Sequence, residues 1–237
     1  MDWLMRQEML IGKEACKKLK NSTVAVIGLG GVGGACAEAL CRCGVGRLIL
    51  VDHDTVDITN INRQIIALKS TVGMNKTDAT ANRLCDINPD CEIVKLNLFY
   101  SAETSSELFK LNPDYIVDCI DTVSAKLHLA ETCKEREIPL IICLGTGNRL
   151  DPTCFKIGDI SKTSENGAGC GLARVMRQEL KKRGIQKQTV LYSDETASKK
   201  VISDESTGKN APGSISFCPP VAGYILASKV VKDLIER

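Results

Sequence analysis

A β-branched apolar run that leads directly into a glycine-rich turn constrains this chain more than any other feature. Residues 23–28 read TVAVIG, the turn continues as GLGGVG at 28–33, and the small-residue run GACAEALCRCG follows. Short apolar runs bounded by glycine are typical of buried parallel strands. The small residues after the turn favour a helix packed closely on a sheet. The first predicted unit is therefore a strand, a tight turn and a helix.

Strand and helix patterns continue to alternate along the chain. A helix is predicted at 1–22, and another around Lys76 to Asp86. Further strands are predicted at 46–52, 91–97, 114–121 and 138–145, with a helical segment before each. Alternation at this spacing produces crossover connections between parallel strands. The predicted fold is α/β and Rossmann-like, a mostly parallel sheet with helices on both faces.

The second half of the chain is less regular. Strands are predicted at 155–161, 189–193 and 213–217, with a helix at 172–184 and a closing amphipathic helix that starts at the proline pair. Residues 194–212 are polar and aperiodic, which predicts a mobile loop. We expect one domain over 1–237, with a nucleotide-binding core at 1–150 and a mixed sheet extension at 151–237.

Charge and cysteine content exclude several classes of protein. The formal net charge is only +2, so the chain as a whole is not drawn to nucleic acid or membrane, although a local basic patch would suffice for RNA. No apolar run reaches the roughly 18 residues of a membrane span. The 12 cysteines include no Cys-x-x-Cys pair. Without a signal peptide at the start, we expect reduced thiols in a cytoplasmic protein.

The glycine turn and the acidic residue after the next strand predict a nucleotide site. Glycines permit a tight turn and let backbone amides approach phosphate at the helix N-terminus. Asp52 ends the second strand, about 20 residues on, where a carboxylate can accept hydrogen bonds from ribose. The predicted binding residues of the turn are Gly28, Gly30, Gly31 and Gly33. NAD enzymes carry the same pattern, so at this point the nucleotide remains open between ATP and NAD.

Cationic residues after Asp52 favour ATP. Arg63 and Lys76 can offset the charge of a triphosphate and its leaving pyrophosphate, a pair that an NAD enzyme does not need. Asn60 and Gln64 can orient the same phosphates. Asp121 falls at the carboxyl end of a strand, where open α/β sheets bind ligands, and can hold Mg²⁺.

The motifs together resemble the ThiF/MoeB-like ubiquitin-activating superfamily. GLGGVG, then VDHDTVDITNINRQ with Asp54 inside it, a following lysine and DCID are similar to its adenylation core. The resemblance implies attack of a substrate carboxylate on the α-phosphate of ATP. It assigns ribose to Asp52, phosphates to Arg63 and Lys76, and the magnesium-bound triphosphate to Asp121. It also implies a homodimer, in which Arg6 reaches the active site of the partner.

The second half resembles one branch of this superfamily, the tRNA threonylcarbamoyladenosine dehydratases (the TcdA group). The matching segments are DPTCFKIGDISKTS, LARVMRQELKKRGI, VLYSDE and GSISFCPPVAGYILAS. This likeness implies ATP-dependent cyclisation of threonylcarbamoyladenosine in tRNA, with a sulfur-relay protein as a further possible partner. An insertion at 164–171 departs from the branch pattern, which leaves the role of that loop open.

Alternatives remain at several positions. The chain could instead activate the C-terminus of a ubiquitin-like sulfur carrier, although such enzymes usually hold zinc on two Cys-x-x-Cys pairs. A nicotinamide-dependent oxidoreductase, or a nucleotide-binding module without catalysis, is the third class. The predicted helix at 172–184 carries a basic cluster, which is either a solvated face or an RNA contact; its members are Arg174, Arg177, Lys181, Lys182 and Arg183. Cys218 is either an activated or a buried thiol, and His53 is expected to be a neighbour of the ribose site rather than a base.

Overall fold

The first two helices of the structure replace one predicted helix. The computed structural model describes residues 3–164, 170–198 and 212–236. Helix α1 (Met5–Ile11) ends and α2 (Lys13–Lys20) begins at Gly12, whose φ of 82° is in the left-handed region. The prediction of one helix over 1–22 was therefore wrong, because glycine adopts this conformation readily and stops the first helix there.

The remaining elements form a sheet with helices on both faces, as predicted. In the described residues the sheet has seven strands: β1 (Thr23–Ile27), β2 (Arg47–Val51), β3 (Glu92–Leu96), β4 (Tyr115–Asp118), β5 (Leu140–Cys143), β6 (Phe155–Asp159) and β7 (Thr189–Ser193). The helices are α3 (Gly31–Arg42), α4 (Lys76–Ile87), α5 (Ser105–Phe109), α6 (Val123–Glu135), α7 (Gly171–Lys182) and α8 (Cys218–Glu236).

Strand order places a crevice beside β1. The order is β3-β2-β1-β4-β5-β7-β6, and every neighbouring pair is parallel except β6 with β7. The chain runs outward from β1 to β2 in one direction and returns to β4 on its other side, which makes this the switch point of the sheet. In open α/β sheets, ligands bind at the carboxyl edge at such a point.

The two faces of the sheet bury separate apolar layers. Val24 and Val26 of β1 pack in the cluster that contains residues of α3 and α8, whereas Ala25 and Ile27 face the cluster of α5, α6 and α7. Successive side chains of a strand point to opposite faces, so a continuous apolar run buries both. Across the described ranges, no helix is long and apolar enough to cross a membrane.

Residues 213–217 do not form the predicted strand. Their backbone is held by loop contacts instead: Asn148 N donates to the Gly213 carbonyl at 2.8 Å, and Asn62 Nδ2 donates to the Ser214 carbonyl at 3.1 Å. The segment leads into α8, whose first turn carries the proline pair as expected. Most of the predicted mobile loop, at 199–211, and residues 165–169 of the insertion lie outside the described residues.

Helix α8 joins the second half of the chain to the glycine turn. A side-chain carbon added at Gly223 would lie 2.3 Å from the carbonyl oxygen of Val32, so α8 and α3 are in close backbone contact. Pro219 lies 2.8 Å from the position that such a carbon would take at Gly31. The turn is therefore packed from behind by α8.

Candidate nucleotide site

A cleft of about 370 Å³ opens at the carboxyl edge of the sheet, beside β1 and β4. Its lining comes from four places in the sequence: the glycine turn, the crossover segment (residues 52–76), the residues after β3 and the residues after β4. All of the predicted site residues except Gly33 and Arg6 line it: Gly28, Gly30, Gly31, Asp52, Asp54, Asn60, Arg63, Gln64, Lys76 and Asp121. The fold thus brings these distant residues to one place.

The glycine turn (residues 28–33) has its shape because side chains would not fit. Gly28 has a φ of 86°, and a carbon added there would lie 2.8 Å from the Cys119 carbonyl oxygen. A carbon added at Gly33 would lie 1.7 Å from the carbonyl oxygen of Gly28, so Gly33 supports the turn from beneath. At Gly30 the nearest atom is Gln64 Nε2 at 3.9 Å. Gly30 is therefore where a ligand can come close to the backbone.

Helix α3 starts at the cleft, which Gly30 and Gly31 line. Among the described residues, no side chain caps this helix at Gly30. The first N–H groups of a helix lack partners within it and carry the positive end of its dipole. Anions such as phosphate bind readily at an end of this kind. The uncapped start of α3 thus provides hydrogen-bond donors for a phosphate.

Asp52 is fixed by backbone amides on two sides. It is 8% exposed, and one carboxylate oxygen accepts from Leu29 N at 2.6 Å while the other accepts from Asp54 N at 2.8 Å. Each carboxylate oxygen can accept more than one hydrogen bond. The carboxylate is consequently held in one orientation and retains acceptor capacity toward the cleft, as its predicted ribose role requires.

The cations of the crossover segment already have partners within the chain. Buried Lys76, at the start of α4, donates from Nζ to Asp54 Oδ2 at 2.7 Å. Half-buried Arg63 donates from Nη1 to the Thr59 carbonyl and to Asn62 Oδ1, both at 2.9 Å. A phosphate that binds either cation must compete with these partners.

Two amides complete this wall of the cleft. Asn60 is buried, and its Oδ1 accepts from Asp57 N in the capping box of a short 3-10 turn. The Oε1 atom of Gln64 is also buried and accepts no hydrogen bond from the described part of the chain. Because a buried polar atom without a partner is unfavourable, Gln64 has a hydrogen bond to gain from a ligand.

Carboxylates at the mouth of the cleft are suited to a cation. Asp121 is exposed just beyond β4, where its Oδ1 accepts from Thr122 Oγ1 at 3.3 Å. Asp52, His53 and Asp54 also place one ligand atom each within 4.8 Å of one another. His53 Nε2 lies 3.2 Å from Asp54 Oδ1, and His53 directly follows Asp52 in the chain.

Arg6 does not reach the cleft of its own chain. Gln7 Nε2 donates to the Cys43 carbonyl at 2.8 Å, which fixes α1 beside the last turn of α3. The glycine turn lies at the other end of α3, and a helix of 12 residues is about 18 Å long. Arg6 and the turn are therefore at opposite edges of the sheet.

Sequence reasoning missed an apolar wall of the cleft. Leu98, Phe99 and Tyr100 follow β3 and line the site, and the Phe99 ring meets His53 edge-on at 5.0 Å between centroids. An apolar surface in the same cleft as Asp52 suits a purine base. The signal was present, because LFY directly follows the third predicted strand at the same edge of the sheet.

The structure also bears on the Cys218 thiol and on the basic cluster of α7. Cys218 is buried and donates to the Arg149 carbonyl at 3.3 Å, and burial raises the pKa of its thiol, as for a structural rather than an activated cysteine. On α7, Lys182 and Arg183 pair with Glu179. Arg177 donates to Thr163 Oγ1 at 2.9 Å, so in the described ranges Arg174 and Lys181 are the members of the basic cluster without an ion pair or hydrogen bond through the side chain.

Comparison with known proteins identifies the family. Residues 4–237 match the ThiF family. The chain is 48% identical to tRNA threonylcarbamoyladenosine dehydratase of Bacillus subtilis (strain 168), with 98% of this chain and 94% of that protein aligned. It is 31% identical to the protein of the same name from Haemophilus influenzae, over 94% of this chain and 90% of the relative.

A solved structure supports the same assignment. The crystal structure of E. coli tRNA N6-threonylcarbamoyladenosine dehydratase, TcdA, in complex with ATP matches with a TM-score of 0.87 and 29% identity, over 98% of this chain and 93% of that one. The fold and the family predicted from the sequence are both confirmed. This chain belongs to the ThiF family.

Proposed function

We propose that this chain is an ATP-dependent tRNA threonylcarbamoyladenosine dehydratase that works through carboxylate adenylation. The observation that carries the proposal is the cleft itself, in which an uncapped helix start, a fixed carboxylate and two cations converge at the switch point of the sheet. Relatives bearing this name align with nearly the whole chain. On this proposal residues 1–237 form one adenylation domain, and a tRNA substrate fits the expected cytoplasmic location.

The proposed reaction has two steps. In the first, the threonyl carboxylate attacks the α-phosphate of ATP and pyrophosphate leaves. In the second, a nucleophile of the same modified nucleoside attacks the activated carbonyl, AMP leaves, and the ring closes. The first step builds charge on phosphate oxygens, which fixed donors and cations stabilise. Formation of the adenylate supplies the leaving group on which ring closure depends.

Each wall of the cleft has a proposed task in the first step. The amides at Gly30 and Gly31 hold phosphate, and Asp52 holds the ribose. The phosphates that leave as pyrophosphate are bound by the crossover segment, through Lys76, Arg63, Asn60 and Gln64. Asp54 belongs to the same nucleotide-binding wall and orients Lys76 through their ion pair. Leu98 and Phe99 cover the base.

Mg²⁺ fits the carboxylate at the mouth of the cleft. Magnesium is commonly held by one or two carboxylates together with substrate phosphates and water. Asp121 is exposed and lines the cleft, and within the described part of the chain its one hydrogen bond is a long contact with the Thr122 hydroxyl, so it has acceptor capacity left for a cation. When bound there, Mg²⁺ would offset the charge of the leaving pyrophosphate.

A homodimer with shared sites explains where Arg6 and α1 belong. Every residue of α1 is at least partly exposed, and Met9 and Leu10 are 77% and 84% exposed. Apolar side chains grouped in this way mark a surface that another protein covers. In a two-fold dimer, α1 of one subunit can approach the cleft of the other. Arg6 is then supplied to the partner's site; a sulfur-relay partner stays a prediction.

The direct test is mass spectrometry of nucleosides from modified tRNA after incubation with the protein. With ATP and Mg²⁺, threonylcarbamoyladenosine should disappear and a product lighter by one water should form, with AMP and pyrophosphate released. Omission of ATP and the Lys76→Ala variant are the controls. Persistence of the substrate with wild-type protein, ATP and Mg²⁺ would contradict the proposal.

Complementation tests the shared sites. Arg6→Ala and Lys76→Ala should each be nearly inactive alone. Mixed and allowed to exchange, about half of the dimers become heterodimers with one intact site, so activity should recover to about a quarter of wild type. If Arg6 served its own chain, every site in the mixture would keep one defect and no activity would return.

A further inference from the structure

A charged pair is completely buried behind the wall of the cleft. Lys126 Nζ lies 2.9 Å from Asp118 Oδ1, and both side chains are 0% exposed. Asp118 is the last residue of β4, and Lys126 lies on α6. Burial raises the pKa of the Asp118 carboxyl, and the ammonium of Lys126 opposes that shift. Neither residue lines the cleft, so the proposed chemistry does not use them directly.

Stability alone does not account for this pair. Removing two charges from water is costly, and well-packed apolar side chains of similar volume often give equal or greater stability at such positions. The neighbours Ala125, Leu127 and Leu129 on α6 are apolar and buried, which shows the packing that the helix uses elsewhere. In addition, Asp118 Oδ2 accepts no hydrogen bond from the described residues. The pair must therefore contribute something besides packing.

The hydrogen bonds of the pair fix the loop that follows β4. Asp118 Oδ1 accepts from Ile120 N at 3.0 Å, which closes a tight turn at the end of the strand. Lys126 Nζ also donates to the Cys143 carbonyl at 2.8 Å. The paired residues of β4 and β5 end at Asp118 and Ile142, so Lys126 continues the connection between the strands beyond the sheet.

The glycine turn holds the same loop from the other side. Cys119 N donates to the Ile27 carbonyl at 2.8 Å, and the Cys119 carbonyl oxygen lies 2.8 Å from where a carbon on Gly28 would be. Ile120 and Asp121, the next residues, line the cleft. The position of Asp121 is thus set by the glycine turn on one side and by the buried pair beneath.

We propose that Asp118 and Lys126 are positioning residues, which hold the loop after β4 so that Asp121 faces the phosphates and their Mg²⁺. The inference rests on the proposed function of the cleft. Catalytic groups must be held closely, because displacement by about 1 Å can cost on the order of 100-fold in rate. A buried ion pair tied to two strands restrains this loop more strongly than packing alone.

The test replaces both charges together. Asp118→Leu with Lys126→Met removes the pair without leaving an unpaired buried charge, so the melting temperature should stay close to that of wild type. ATP binding is then measured by calorimetry with Mg²⁺ and with EDTA. Wild type should bind ATP more tightly with Mg²⁺, whereas the double variant should lose most of this enhancement and bind AMP as before. Turnover at saturating ATP should fall by about 100-fold.

Two comparisons separate positioning from stability. Glu38→Leu with Arg83→Met removes another ion pair that includes a buried carboxylate, between α3 and α4, and should change neither the Mg²⁺ enhancement nor turnover. Adding Asp121→Ala should cost far less in the Asp118/Lys126 double variant than in wild type, because Asp121 is already displaced. Retention of the Mg²⁺ enhancement in the double variant, or equal effects of Asp121→Ala in both backgrounds, would overturn the inference.

The inference stays testable if the double variant does not fold, and also if wild-type protein does not convert modified tRNA. If the double variant does not fold, Asp118→Asn with Lys126→Met keeps an acceptor for Ile120 N and loses the link to Cys143; an unchanged Mg²⁺ enhancement there would count against the inference. Because the calorimetry needs no tRNA, loss of the Mg²⁺ enhancement in the variant can be observed even if wild-type protein leaves modified tRNA unchanged. That second result would contradict the proposed function alone.

Discussion

The glycine turn and the crossover segment both line the cleft, but they are built in different ways. The turn is made of backbone, and its shape is set by contacts from behind with Cys119 and α8. The crossover segment presents side chains, and its cations are held by other groups of the same segment, as Lys76 is by Asp54. The turn is thus prepared for a phosphate, whereas the crossover segment must exchange internal bonds for bonds to the ligand.

This difference implies a division of work. Preformed amides bind any nucleotide that carries a phosphate, with little reorganisation. A cation that gives up an internal partner contributes to binding only the difference in free energy between its bond to the ligand and the internal bond that it loses. This difference is largest for a ligand with more negative charge, such as ATP compared with AMP. We therefore expect the turn to provide general affinity and the crossover segment to distinguish ATP from AMP.

The largest effect should come from the support of the turn. Gly33→Ala places a carbon 1.7 Å from the Gly28 carbonyl oxygen, so the backbone must move, at a cost of about 3 kcal/mol. We expect a much lower melting temperature and no detectable ATP binding. Gly30→Ala, where the nearest atom is 3.9 Å away, should melt like wild type and yet bind both ATP and AMP weakly. Normal ATP affinity in Gly30→Ala would show that the glycine turn does not provide the general affinity for nucleotides.

Asp121→Ala should remove turnover and leave the fold intact. The side chain is exposed, so its loss costs little stability, while removal of a group that stabilises charge in the transition state commonly costs about 3 kcal/mol of barrier. Conversion of modified tRNA should fall by two to three orders of magnitude at an unchanged melting temperature. Asp86→Ala, at an exposed position of α4 outside the cleft, is the control and should be active. Full activity of Asp121→Ala would exclude the proposed role of Asp121 in the reaction.

The smallest effect concerns selectivity between nucleotides. Lys76→Met and Arg63→Met should each weaken ATP binding by roughly tenfold, which is the value of one charged hydrogen bond, and leave AMP binding nearly unchanged. Calorimetry with ATP, AMP and NAD measures this directly, and NAD should bind little or not at all to wild type. Equal losses for ATP and AMP would show that the two walls do not divide the work.

The two walls also differ in how far the sequence predicts them. The turn could be predicted because two of its requirements are local: Gly28 has a positive φ, and Gly33 contacts Gly28. The contacts of Gly28 with Cys119 and of Gly31 with Pro219 come from distant parts of the chain and were not visible in the sequence. The predicted phosphate-binding cations of the crossover segment do line the cleft, and their phosphate role stays a prediction. Their pairing was not visible in the sequence, since Asp54 and Lys76 meet only after a long loop has folded. The local sequence pattern therefore predicts which residues are the cations, and only the folded structure shows which residues they pair with.

The failures have the same origin. No sequence motif marks Lys126, because its burial depends on Asp118 and Cys143 in two separate strands. The run GSISF has strand composition, yet its backbone bonds to loop residues such as Asn148 instead of a sheet edge. Helix α1 was merged with α2 because the pattern of apolar residues continues across Gly12. In each case a tertiary contact or a single backbone angle outweighed the local preference.

The packing of α8 against the glycine turn has a consequence for the order of folding. Pro219 contacts Gly31 and Gly223 contacts Val32, although each pair is about 190 residues apart in the sequence. Contacts between such distant residues form late, because a long loop must close before they give any benefit. During synthesis, the turn emerges from the ribosome long before α8 does. A nascent chain that ends before α8 therefore contains the complete glycine motif but lacks the support that gives it shape, and ATP binding should arise only when α8 has docked.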